Sequence, residues 1–147
     1  MVEKKYVDVD VFVYWLAKHP VYGEAAREWV RRIEYGRRGE YITSALTLYE
    51  LALAGLSGRT LRDRELIHTI INTATSLIGL EIIPLEQQDF IKALELMEKY
   101  KLDYEDALHL ATAIREGATA IISNDKDFDK TPTKRIFNPR TKTINRP

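Results

Sequence analysis

Acidic residues recur in this chain where they could act together. Asp8 and Asp10 close the first short run of alternating apolar residues. Asp125 and Asp127, with Asp129 two further on, follow the run that ends at Ser123. Glu50 is the only acid between Glu40 and Asp63, in a segment that is apolar almost all round. Asp106 opens a run that continues Ala107, Leu108, Leu110, Ala111 and Ala113. Taken singly, Asp8 passes for a strand-end residue, the 125–129 acids for a solvated loop, and Asp106, three after Asp103, for half of a capping pair. Glu50 is harder to dismiss. An unpaired charge in an apolar setting is costly or shifts its pKa upward, and its helix offers no Lys or Arg before Arg59.

Brought together, Asp8, Glu50, Asp106 and Asp125 would repel one another unless a cation sat among them. The natural one is a hard divalent ion with oxygen ligands, Mg2+ or Mn2+. Such a site suits phosphodiester hydrolysis: the ion activates water, polarises the phosphoryl oxygen and stabilises the leaving oxygen. Water is then the nucleophile, in agreement with a chain that has no cysteine and no Ser-His-Asp order. His19, His68 and His109 have no metal-like spacing and read as structural or surface residues.

These acids need elements to position them. Short strands are predicted at Tyr6–Val9, Glu40–Thr43, Leu80–Pro84, Thr119–Ser123 and Lys134–Phe137. Helices are predicted at Val11–Lys18, Tyr22–Tyr35, Ala45–Leu56, Asp63–Leu77, Gln87–Tyr100 and Tyr104–Glu116, from apolar residues at helical spacing and from Pro and Gly stops. Alternation of the two types predicts an α/β fold with a mostly parallel sheet. In such sheets ligands gather outside the carboxyl ends of the strands, which is where the acids fall.

With 147 residues, one domain over 1–147 is the expectation. Lys+Arg and Asp+Glu are both 22, so the net charge of zero excludes a globally basic nucleic-acid binder, though not a local basic strip. The absence of cysteine excludes disulfide scaffolds, thiolate metal sites and a cysteine nucleophile. The charged N-terminus does not read as a secretory signal, and no run approaches the roughly 18 apolar residues of a membrane helix. A cytoplasmic protein with no membrane partner is expected.

Four stretches resemble the motifs of PIN domains. Tyr6-Val-Asp-Val-Asp-Val-Phe-Val-Tyr14 is similar to the first, and Thr43-Ser-Ala-Leu-Thr-Leu-Tyr-Glu-Leu51 to the second. Asp106-Ala-Leu-His-Leu-Ala-Thr-Ala113 is similar to the third, Ile122-Ser-Asn-Asp-Lys-Asp-Phe128 to the fourth, and Ile136-Phe-Asn-Pro139 to the closing strand. The resemblance implies a three-layer α/β/α sandwich around a central, mostly parallel sheet of four or five strands. It implies Asp8, Glu50, Asp106 and Asp125 as the acidic cluster, with Asp8, Asp106, Asp125 and Asp127 towards metal. Asp10, where the family usually has Asn, and Ser123, where it often has Thr, are auxiliary. Small PIN proteins of this size are similar to VapC-type toxin ribonucleases of toxin–antitoxin pairs. That would imply metal-dependent cleavage of RNA, a homodimer and an antitoxin partner. Dimer and antitoxin contacts would fall to the early helices, where Val13, Tyr14, Leu16, Tyr22 and Trp29 are large enough to line a surface, although for any one of them ordinary core is the commoner role.

Phosphate contacts could come from Arg31, Arg32, Arg37 and Arg38, from Arg59, Arg62 and Arg64, or from Lys134, Arg135, Arg140, Lys142 and Arg146; none stands out. Two other readings compete. A haloacid-dehalogenase-like phosphatase also opens with strand-Asp-x-Asp and uses Mg2+, with Asp8 as nucleophile and Asp10 as general acid, but it has no role for Glu50. A catalytically inactive PIN interaction module would keep the fold for partner binding alone.

Overall fold

A computed structural model of the chain describes residues 2–56 and 64–139. Among these, β1 (Lys5–Val7), β2 (Tyr41–Ser44), β3 (Leu80–Ile83), β4 (Ala120–Ile122) and β5 (Lys134–Ile136) form one sheet in the order β3-β2-β1-β4-β5. Every neighbouring pair is parallel. The connections carry α1 (Val9–Leu16), α2 (Gly23–Glu34), α3 (Ala45–Leu56), α4 (Arg64–Thr75), α5 (Gln87–Tyr100) and α6 (Tyr104–Arg115). The expected α/β sandwich is therefore present, with a fully parallel sheet of five strands.

Strand side chains alternate between two cores, one on each face. Tyr6, Ile42 and Ile121 pack with Ala93 and Leu96 of α5 and Leu108 and Leu110 of α6. Their neighbours Val7, Tyr41 and Ile122 pack with Phe12, Trp29, Ile33, Leu51 and Ala74 on the opposite face. Strands buried on both faces are apolar throughout, which is why these segments read as short apolar runs. On the α5–α6 face, Arg115 grips the buried Asp89 with Nε at 2.8 Å and Nη2 at 3.0 Å, and its Nη2 also donates to the Pro84 carbonyl.

The structure departs from expectation at one point that bears on the site, and it decides between the two readings of Trp29. The first helix begins at Val9, not Val11, because Asp8 caps it by accepting the Val9 N–H. Asp10 therefore lies in the first turn of α1 and not at a strand end. Trp29 lines no surface: it is 3% exposed, and its indole N–H donates to the Phe137 carbonyl. Burial of that polar tip explains why a tryptophan can serve as core here.

Gly79, in the turn from α4 to β3, is the tightest backbone approach. A Cβ there would sit 1.7 Å from the Ile33 carbonyl oxygen at the end of α2, and backbone cannot swing aside as a side chain can. Gly79→Ala is expected to destabilise the fold by at least about 2 kcal/mol, from forced backbone displacement. Thermal melts would show this as a loss of roughly 5 °C or more; an unchanged melting temperature would contradict the close approach.

Candidate active site: an acidic pocket at the strand ends

Strand order reverses at β1, which has β2 on one side and β4 on the other. Such a switch point leaves a crevice outside the carboxyl ends, and residues just after β1 and β4 enter it first. Asp8 follows β1 directly and is 4% exposed. Its backbone N–H donates to the Ile122 carbonyl (3.0 Å), Oδ1 accepts from the Val9 N–H (2.8 Å) and Oδ2 accepts from Ser123 Oγ (2.7 Å). Both carboxylate oxygens are thus held by neighbouring elements. A buried group so engaged is poorly presented for nucleophilic attack, and the arrangement does not favour the phosphatase alternative.

Ser123 organises the next contacts. Its Oγ accepts from the Asp125 N–H (3.0 Å) and lies 3.4 Å from Asp10 Oδ2, which also accepts from the Asn124 N–H at 2.8 Å. The other Asp10 oxygen, Oδ1, is buried without a hydrogen-bond partner. Asp125 Oδ1 caps the short 3-10 turn Lys126–Lys130 by accepting from the Asp127 N–H (2.9 Å). Asp103 caps α6 by accepting the Asp106 N–H (2.9 Å). The Asp106 side chain instead lies against Asp125 and Asp127. One carboxylate oxygen each from Asp106, Asp125 and Asp127 lies within 4.8 Å of the others.

Glu50, on α3, meets His109 of α6: Nε2 donates to Oε1 at 2.5 Å, and the same nitrogen lies 3.7 Å from Asp8 Oδ1. This answers the missing partner for Glu50. The imidazole is 1% exposed and belongs to the pocket, not to the surface. Its membership was not legible from spacing, because the contact joins helices 59 residues apart; the one available signal was a histidine amid apolar residues one turn after Asp106.

Electrostatics follow from crowding. Burial, then the charge of Asp8, pushes Asp10 up to about 7. Burial, then Asp103, Asp125 and Asp8, pushes Asp106 up to about 8. Burial also raises Asp8, against the pull of His109. Glu50 goes the other way: burial would raise it, but the His109 hydrogen bond and charge hold it below the usual carboxylate range. Burial would lower His109, yet Tyr6, Glu50 and Asp8 together hold it well above the ordinary imidazole value.

The residues fit a hard divalent cation. Donors are carboxylate oxygens from two elements, the Asp10 Oδ1 atom lacks any partner, and burial with neighbouring carboxylates raises Asp10 and Asp106; of the donors, Asp127 also pairs with Lys130 at 3.3 Å. Asp8 stands outside the Asp106–Asp125–Asp127 trio and acts on Asp106 through its charge. Of the basic candidates, Arg135 is engaged by Asp129 (2.9 Å) and the Ser123 carbonyl (3.1 Å), and Arg31 and Arg32 flank Glu28. Arg59, Arg62, Arg140, Lys142 and Arg146 lie outside the described residues.

Known proteins resemble this chain to different extents. Ribonuclease VapC1 of Aquifex aeolicus (strain VF5) is 49% identical over 51 residues, 33% of this chain and 35% of that protein. The chain thus matches about a third of the length of that relative. Among solved structures, VapC20 of Mycobacterium tuberculosis, described as a Sarcin-Ricin loop cleaving toxin, superposes with a TM-score of 0.72 at 14% identity, over 91% of this chain and 99% of that one. A toxin–antitoxin complex from Klebsiella pneumoniae gives a TM-score of 0.68 at 18% identity, over 92% of this chain and 98% of that one. Identities this low speak for the fold alone. The family model described as PIN domain matches residues 5–134, from the first residue of β1 to the first of β5 and across every acid of the pocket, and the chain belongs to that family.

Proposed function

We propose that this chain is a metal-dependent endoribonuclease, working as a single PIN unit and as the toxin of a toxin–antitoxin pair. The observation that carries the reading is the convergence of Asp106, Asp125 and Asp127 to within 4.8 Å, beside a buried Asp8 and an ionised Glu50. Asp106, Asp125 and Asp127, with Asp8 against them, would hold Mg2+ or Mn2+. The ion, when bound, supplies charge for the scissile phosphate and lowers the pKa of water. The chain's own groups do the rest. Ser123 keeps Asp8 in place through a hydrogen bond of 2.7 Å, and Asp125 holds the backbone of the turn that carries Asp127 through one of 2.9 Å. Glu50, ionised through His109, is the acceptor for a proton from the attacking water.

An apolar groove of about 360 Å³ between α1, α3 and α4, lined by Val13, Leu16, Leu51, Ala54, Leu66 and Ile70, supports the antitoxin half of the reading. It would take an apolar helical segment of a partner. No helix among the described residues is long and apolar enough to cross a membrane; we take the protein to act in the cytoplasm, as a homodimer. Incubation with single-stranded and structured RNAs in Mg2+, Mn2+ or EDTA tests the enzyme. Cleavage that requires the metal is expected. Intact RNA in every condition, from protein that still binds Mn2+, would leave the inactive interaction module as the better account.

A further inference from the structure

Histidine is an expensive choice for position 109. Ala107, Leu108, Leu110 and Ala111 around it are all buried and apolar, and a leucine there would need no partners. The imidazole instead has both nitrogens engaged. Nε2 donates to Glu50 Oε1 at 2.5 Å, and Nδ1 lies 2.6 Å from the hydroxyl of Tyr6 on β1. The Tyr6 hydroxyl in turn donates to Ser44 Oγ, the last residue of β2, at 2.7 Å, and Ser44 is fully buried. The Tyr6 ring also meets the imidazole edge-on, with centroids 5.5 Å apart.

This chain of contacts begins on two central strands, passes through α6 and ends at one carboxylate on α3. The imidazole is held at both ends and along one edge, so the position of Nε2 is set by the sheet. Asp8 is fixed independently, by Val9 and Ser123. Glu50 is half-buried, and its described partners besides His109 reduce to Glu105, itself an exposed acid. A long side chain so placed keeps its rotamer freedom unless something rigid takes hold of it.

We propose that His109 is a positioning residue for the reaction: backed by Tyr6 and Ser44, it fixes the Glu50 carboxylate at a set separation from Asp8. The role rests on the nuclease reading above and deepens it. A displacement of about 1 Å in a reacting group is worth roughly a hundredfold in rate, which sets the scale of the effect.

The test compares wild type with His109→Leu, His109→Gln and Tyr6→Phe, each scaled to its folded fraction from thermal melts. In RNA cleavage with saturating Mn2+, His109→Leu is expected to lose roughly a hundredfold in kcat with KM within about twofold. His109→Gln keeps an N–H donor and is expected to recover about tenfold of that loss; Tyr6→Phe keeps the ring and is expected to lose about tenfold. Equal kcat in the Leu and Gln variants, or losses that vanish on scaling to folded protein, would overturn the proposal in favour of a packing role. A second readout needs no activity: in the NMR spectrum of metal-free protein the His109 Nε2 proton is expected far downfield, and to move upfield in Glu50→Gln. A resonance indifferent to Glu50→Gln overturns the proposal. If wild type binds Mn2+ but cleaves no RNA, the nuclease reading fails by itself, and the spectrum decides whether His109 holds Glu50.

Discussion

Asp106→Asn is expected to reduce RNA cleavage by about a thousandfold or more while raising the melting temperature of the metal-free protein. Loss of activity follows from the trio: Asp106 is one of three carboxylates whose oxygens share a space of 4.8 Å, and an amide there removes a charged donor. If the variant forfeits about 4 kcal/mol of transition-state charge stabilisation, the rate falls by about that factor. The gain in stability has the same origin. Burial and the charges of Asp103, Asp125 and Asp8 make an ionised Asp106 unfavourable, which is why it is pushed up to about 8. An amide needs no proton taken up on folding, and relief from that cost is expected to contribute about 1–2 kcal/mol, or roughly 3–6 °C, near neutral pH. Activity assays and melts in chelator read the two effects separately. A variant that is inactive but also less stable would indicate that Asp106 supports the fold and not a charged pocket.

The second large effect links metal to pH. Asp10 at about 7 and Asp106 at about 8 keep protons in the folded chain that they would release near pH 4 in the unfolded one. Between those limits the folded state binds more protons, so stability falls as pH rises. His109 adds to this trend, since its folded value is raised: its contribution is complete below about 6.5 and is lost as the pH climbs through the raised value. Glu50 and Asp89 are lowered, and their contributions are lost only on acidification below about 4. Metal-free protein should therefore melt highest at mildly acidic pH and several degrees lower at pH 8.5. Mn2+ at a hundred times its Kd would stabilise by about 2.7 kcal/mol, or roughly 5–10 °C. The shift should be larger at pH 8 than at pH 6, where protons compete for the same oxygens. Equal shifts at both values would argue that the acids do not share one ion.

Much of the architecture was legible because its signals are local. Strand runs buried on both faces are short and apolar, and Asp103 announces its helix by the distance to Asp106. The site was legible only as far as topology carries it. Knowing that acids follow strands places Asp8 and Asp125 near one edge, and helical spacing offers Glu50 and Asp106 to the same region. What spacing cannot provide is the partner of Glu50, because its helix holds none, and His109 reaches it from α6 across the strand ends. The second role of Asp8 was hidden in another way. One carboxylate both caps α1 and faces the pocket, so the helix starts two residues before the apolar pattern suggests and carries Asp10 in with it. Trp29 takes the commoner of its two readings, core over surface, because the Phe137 carbonyl satisfies its only polar atom inside the fold.

The position of β1 has a consequence for how the protein comes into being. It is made before the other four strands of the sheet, yet its register with β4 pairs Lys5 with Ala120 and Val7 with Ile122. At about 5–20 residues per second, a nascent chain spends on the order of ten seconds with the first strand made and that partner still unsynthesised. Throughout that interval the Asp8 N–H has no Ile122 carbonyl, its Oδ2 has no Ser123 hydroxyl, and Asp125 and Asp127 do not yet exist. The pocket therefore cannot be complete before β4 and the turn after it are made. Until then the acids of one site are spread between a finished strand and residues still to be joined to the chain.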